Sequence, residues 1–136
     1  MGESETHMRL VASLVDWVAH TYCADEADSI LVDSPSTRAG SRPPIIAGFV
    51  PDVYVAAPPG PLLVVGEAKT ACDIDRRHTR EQLAAFLNWC TWKEGSILIL
   101  AVPWRYVRCA EGVLRDLKKR NTVGVTRTLV LDRLEG

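Results

Sequence analysis

Pro51-Asp52-Val53-Tyr54-Val55-Ala56, then Ala57-Pro58-Pro59-Gly60-Pro61, then Leu62-Leu63-Val64-Val65-Gly66-Glu67-Ala68-Lys69 is the stretch around which this chain is organised. Its middle cannot continue a strand, because three prolines remove backbone donors and Gly60 supplies the dihedrals of a turn. The flanks therefore read as a β-hairpin. Its second strand is apolar on both faces, which predicts a central strand in a sheet covered on both sides. A two-residue period puts Leu63, Val65, Glu67 and Lys69 on one face, with Glu67 and Lys69 roughly 6 to 7 Å apart along the strand.

Asp52 opens the first strand, and pairing across the turn can bring its carboxylate beside that of Glu67. Two carboxylates that close repel unless a cation or a proton lies between them. Oxygen donors with no neighbouring His or Cys suit Mg²⁺ or Mn²⁺ rather than zinc. Lys69 would put a positive charge within reach of an anion bound there. The plainer alternative is a Glu67–Lys69 ion pair and an aspartate that merely starts a strand. Three such residues on one strand-turn-strand frame favour the site.

Pro51-Asp52, fourteen residues, then Glu67-Ala68-Lys69 resembles the PD-(D/E)xK nuclease superfamily, which includes restriction endonucleases and Holliday junction resolvases. Gln82-Leu83-Ala84-Ala85-Phe86 is similar to the Gln-x-x-x-Tyr element of some members. The resemblance covers about residues 48–102. It implies a restriction endonuclease-like α/β fold, with a mixed central sheet flanked by helices. It also implies a Mg²⁺- or Mn²⁺-dependent DNA endonuclease that hydrolyses phosphodiester bonds, with branched or structured DNA as a substrate class. Asp52 and Glu67 would then be catalytic metal ligands, joined by the backbone carbonyl of Ala68, and Lys69 and Gln82 would complete the catalytic set. An acidic residue from an N-terminal helix often joins such sites, which makes Glu5 a further candidate ligand.

The chain of 136 residues is expected to form one domain spanning 1–136, with 47% apolar and 24% charged residues. Its net charge of -1 excludes binding to DNA by bulk electrostatics, so affinity must come from a local patch. That charge also supports a second expectation, a non-catalytic nucleic-acid-binding or assembly module that keeps the fold. Four separated cysteines, without zinc spacing or a signal-peptide core, point to reduced thiols and a cytoplasmic protein. No apolar run approaches the roughly 20 residues needed to span a bilayer.

The periodicity predicts a helix over 6–23, with Met8, Val11, Leu14, Val15, Val18 and Tyr22 inward. Glu5 then equally suits the positive end of the helix dipole. A short strand follows at 29–33 and a polar loop at 34–44, whose Arg38 and Arg42 are able to reach a phosphate backbone. A helix is expected over 79–92, with Leu83, Phe86, Leu87 and Cys90 buried. Thr79-x-x-Gln82 has the form of a capping box, which competes with the catalytic role of Gln82. Arg76, Arg77 and Arg80 gather at that helix's start, where an arriving phosphate would offset their unfavourable position, and His78 adds a phosphate donor or proton shuttle. These four are the nucleic-acid-binding candidates, although Asp73, Asp75 and Glu81 offset the arginines locally.

Residues 96–102 read as a second fully apolar strand, joined to the first by a parallel crossover. A helix over 104–120 and a strand over 122–134 finish the chain. One compact domain carries one site, so two coordinated cuts would require a homodimer. Trp89, Trp92 and Trp104 are available for an interface or for the core.

Overall fold

The structure, a computed structural model, describes residues 5–23, 29–33, 42–56, 63–70, 74–92, 95–120 and 127–134. In chain order its elements are α1 (Glu5–Tyr22), β1 (Leu31–Val32), β2 (Val53–Ala56), β3 (Leu63–Ala68), α2 (Arg77–Cys90), β4 (Ile97–Pro103), a 3₁₀ turn at Trp104–Tyr106, α3 (Val107–Arg120) and β5 (Arg127–Leu134). The proline-rich turn, the loop from 34 to 41 and the segment 121–126 lie outside the described residues.

The strands form one mixed sheet in the order β1-β2-β3-β4-β5. β1, β2 and β3 pair antiparallel, whereas β3, β4 and β5 run parallel. β3 is thus the central strand, and all six of its residues are buried. Its alternation sends Leu63 and Val65 to a core shared with Leu83, Phe86 and Leu87 of α2 and with Val113, Leu114 and Leu117 of α3. Val64 and Ala68 join the opposite core, built with Leu10, Leu14 and Val18 of α1. Each Val or Leu side chain so buried contributes about 1.5–3 kcal/mol, which is why this strand anchors both layers.

One helix differs from its expected phase and another from its expected start. The buried stripe of α1 is Leu10, Leu14 and Val18, while Met8 is 56% exposed. The apolar surface is therefore rotated relative to the Met8-Val11-Val15 set. α2 starts at Arg77, two residues before the expected boundary, and Arg76 precedes it without a side-chain cap. Thr79 is inside the helix and buried, so the capping-box reading of Thr79 and Gln82 does not hold.

Gly66 lies where α1 packs against β3. A Cβ there would stand 2.9 Å from Leu14 Cδ2 and 3.2 Å from Val53 Cβ, so only glycine lets α1 settle onto β3. Before β2, Ile46 and Phe49 close a tight turn by reciprocal backbone hydrogen bonds of 2.6 and 2.9 Å. Both central residues have positive φ, Ala47 at 53° and Gly48 at 88°. The turn sets Phe49 edge-on against Phe86 and His78.

Candidate active site

Val53 pairs with Gly66, so Asp52 and Glu67 meet where β2 begins and β3 ends. The backbone N–H of Ala68 donates to Asp52 Oδ2 at 2.8 Å, and the backbone N–H of Asp52 donates to Glu67 Oε1 at 3.1 Å. Each carboxylate is thereby fixed by the strand that carries the other. The carbonyl of Asp52 accepts from Asp33 N–H at 2.9 Å, which ties the same point to the β1 side of the sheet.

Further side chains arrive from three elements. Gln82, on the sheet-facing side of α2, donates from Nε2 to Glu67 Oε2 at 3.1 Å. Lys69 Nζ, just past β3, lies 3.3 Å from the same oxygen. His7, on α1, brings Nε2 to 3.3 Å from Asp52 Oδ2 and donates there when that nitrogen carries the proton. Asp52, Glu67 and Gln82 are only 5%, 3% and 6% exposed. Gln82 Oε1 is buried and has no hydrogen-bond partner among the described residues.

Burial and the adjacent Asp52 charge push the Glu67 carboxyl up to about 8, against the opposing pull of Lys69 and the Asp52 amide. Burial thus favours the protonated form of Glu67, and a bound cation would oppose that. Desolvation is the largest of these effects on Glu67.

Four of the candidate residues, Asp52, Glu67, Lys69 and Gln82, are brought together, and Ala68 meets Asp52 through its backbone N–H, a donor rather than the expected carbonyl ligand. Glu5 is not. Its side chain is 82% exposed and pairs with Arg9 along α1, because the rotated stripe turns it to solvent. The same rotation delivers His7, which reasoning from the sequence did not single out. Its signal was the spacing 7, 10, 14, 18, one side of a helix. Arg80 is clasped by Asp75 at 2.7 Å and by Asp116 of α3 at 2.9 Å. The hydrogen bond to Asp75, and then that to Asp116, raise its pKa, so it braces α2 against α3 instead of offering an open cation. Arg77 pairs with Glu81 on the surface. Arg76 and His78 are exposed at the start of α2, His78 with its ring 5.4 Å from that of Phe49.

The expected oxygen-only donor set is corrected by His7, whose Nε2 stands beside Asp52. The oxygen donors are two buried carboxylates, one of which is penalised for being charged, and a buried amide oxygen with an unused lone pair, and these suit a hard divalent cation. Among the described residues, no group of three or more His, Cys, Asp or Glu side chains is disposed as a ready-made metal cage. The carboxylate oxygens instead face protein donors. No family model matches this chain, and no curated protein or solved structure does.

Proposed function

We propose that this protein is a divalent-metal-dependent DNA endonuclease with a restriction endonuclease-like fold, hydrolysing phosphodiester bonds at the Asp52–Glu67–Lys69–Gln82 cluster. One observation carries the reading: Gln82 and Lys69 converge on a single oxygen of a buried glutamate that is clasped to a buried aspartate at the end of the central strand. Lysine next to paired buried carboxylates is a poor stabilising device, since burying three ionisable groups costs more than an apolar replacement would. It is a good hydrolytic one.

Asp52 and Glu67 would hold Mg²⁺ or Mn²⁺, and Gln82, whose buried Oε1 has no partner among the described residues, would supply an amide oxygen if its side chain turned over. The ion, once bound, would supply Lewis-acid stabilisation of phosphoryl charge and a water of lowered pKa. Lys69 in its charged form holds a phosphoryl oxygen beside Glu67. Gln82 fixes the orientation of the Glu67 carboxylate. His7 does the same for Asp52, from the opposite layer. Arg76, Arg77 and His78 at the start of α2 contact phosphates along the strand, while Arg80 acts indirectly by bracing the helix.

The second reading is a non-catalytic nucleic-acid-binding or assembly module. It is favoured by the hydrogen bonds that already occupy three of the four carboxylate oxygens, a pattern that a purely structural clasp would also produce. Free thiols at Cys23, Cys90 and Cys109 support a cytoplasmic location for either. No helix among the described residues is long and apolar enough to cross a membrane. Two cuts in one junction would require a homodimer.

The deciding experiment is a Mg²⁺ titration with labelled duplex and branched DNA, comparing wild type with Asp52→Asn. Metal-dependent cleavage by wild type alone supports the endonuclease. Binding by both proteins, with no cleavage at any metal concentration, supports the module.

A further inference from the structure

We infer that Trp104, at the carboxyl end of β4, is a stacking platform for an unpaired base, and that the substrate of the proposed site therefore carries single-stranded nucleotides next to the scissile phosphate. The inference rests on the hydrolytic reading for the second half of that statement only.

Ala68 pairs with Ala101, and Lys69 N–H donates to Ala101 O at 3.0 Å. Trp104 follows three residues later, about 10 Å along an extended chain, so it stands at the same edge of the sheet as the carboxylate cluster. In open α/β sheets this edge, outside the carboxyl ends of parallel strands, is where ligands bind. The ring is 64% exposed, although apolar cores lie on both sides of the strand that carries it. Exposure alone does not distinguish Trp104, since Trp92 and Ile45 are exposed too; its place at this edge and its basic neighbours do.

Its neighbourhood is basic. The Arg105 guanidinium carbon lies 5.9 Å from the Trp104 ring centroid. Arg105 and Arg108 are exposed at the start of α3, whose first turn holds no acidic residue. Cations are disfavoured at a helix N-terminus unless an anion joins them. An aromatic ring beside two arginines offers a base its face and a phosphate its charge partners.

This arrangement also answers the difficulty raised by net charge. A chain at -1 gains counterion release only where a local patch meets phosphates, and base stacking adds affinity that does not depend on net charge. Bases within a duplex have both faces covered by their neighbours. A ring on the protein surface can stack only on a base that is unpaired or terminal, so Trp104 selects overhangs, flaps or junction arms.

The test uses one labelled duplex in three forms: blunt, with a single-stranded overhang, and with that overhang made of abasic sites. Binding is read by fluorescence anisotropy in Ca²⁺, and cleavage is read separately in Mg²⁺. Wild type is expected to bind the overhang about ten-fold or more tighter than the other two forms, in line with one stacked base. Trp104→Ala should lose that preference, Trp104→Phe should keep most of it, and Trp92→Ala, which removes an indole 83% exposed elsewhere, should leave it intact. Equal affinity for the three forms, or a preference that survives Trp104→Ala, overturns the inference. A Trp104-dependent preference without cleavage upholds the platform and retires the hydrolytic reading. Cleavage without the preference retires the platform alone.

Discussion

Glu67 is where the largest residue-level consequences concentrate, because three donors, the Asp52 amide, Gln82 and Lys69, converge on it beside the Asp52 carboxylate. Asp52→Asn and Glu67→Gln keep the shape of the clasp and remove one anionic donor each. Each is expected to lower metal-dependent cleavage more than about 100-fold, beyond the 10- to 100-fold usual for groups that only orient a ligand. Gln82→Ala and His7→Ala belong to that milder class. Glu5→Ala should leave cleavage unchanged, since its carboxylate pairs with Arg9 in solvent; a large loss would return it to the site. The sequence revealed Glu67 and Lys69 because a strand's two-residue alternation and the end of an apolar run are strong local signals, Asp52 because the hairpin pairs it with them, and Gln82 only through the resemblance of its segment to a nuclease element. It hid His7 because histidine is not counted as apolar. The stripe in α1 was therefore phased on Met8 and Val11, and Leu10 was overlooked.

At the scale of elements, the contact between α1 and β3 is set by one missing side chain. Gly66→Ala pushes a methyl to 2.9 Å from Leu14 Cδ2, and overpacking of this kind costs about 1–3 kcal/mol. The expected outcome is a lower thermal midpoint that is partly restored by adding Leu14→Val, because the two changes share one space. Strict additivity of the two losses would contradict the packing described here. The turn before β2 predicts the opposite sign. Ala47 has φ 53°, where an L-residue is strained, so Ala47→Gly should be neutral or stabilising in a urea titration. The hairpin, the crossover and the central place of β3 were all legible, because apolar runs bounded by proline and glycine leave few alternatives. The start of α2 was not. Arg76 provides no cap, and Thr79-x-x-Gln82 imitates a helix start two residues late. Sequence alone could not tell that Gln82 donates across the layer to Glu67 instead of back to its own helix.

For the whole molecule, the buried carboxylate couples folding to pH. The folded state holds the Glu67 proton up to about 8, whereas the unfolded chain releases it near 4.5. Between these values the folded state binds more protons, so stability falls as pH rises. This contribution is complete below about 4.5 and is lost as pH climbs through about 8, on the order of a few kcal/mol in all. Thermal midpoints measured in EDTA should therefore decline more steeply across this window for wild type than for Glu67→Gln. Parallel curves would mean that Glu67 is not buried as described. Divalent cation affinity should rise over the same range, because the proton must leave before the ion can enter. The exposure of Trp89, Trp92 and Trp104 is likewise a property of the whole surface: the sequence allowed core or interface, and the packed structure takes all three out of the core.

The central claim is that Asp52 and Glu67 exchange their internal hydrogen bonds for a shared divalent cation. A crystal grown in Mn²⁺ and measured for anomalous scattering tests it most directly. The account predicts a peak between the two carboxylates, with Gln82 Oε1 turned toward it and Lys69 alongside. Carboxylates still bound to the Ala68 and Asp52 amides, with no anomalous density between them in saturating Mn²⁺, would contradict it.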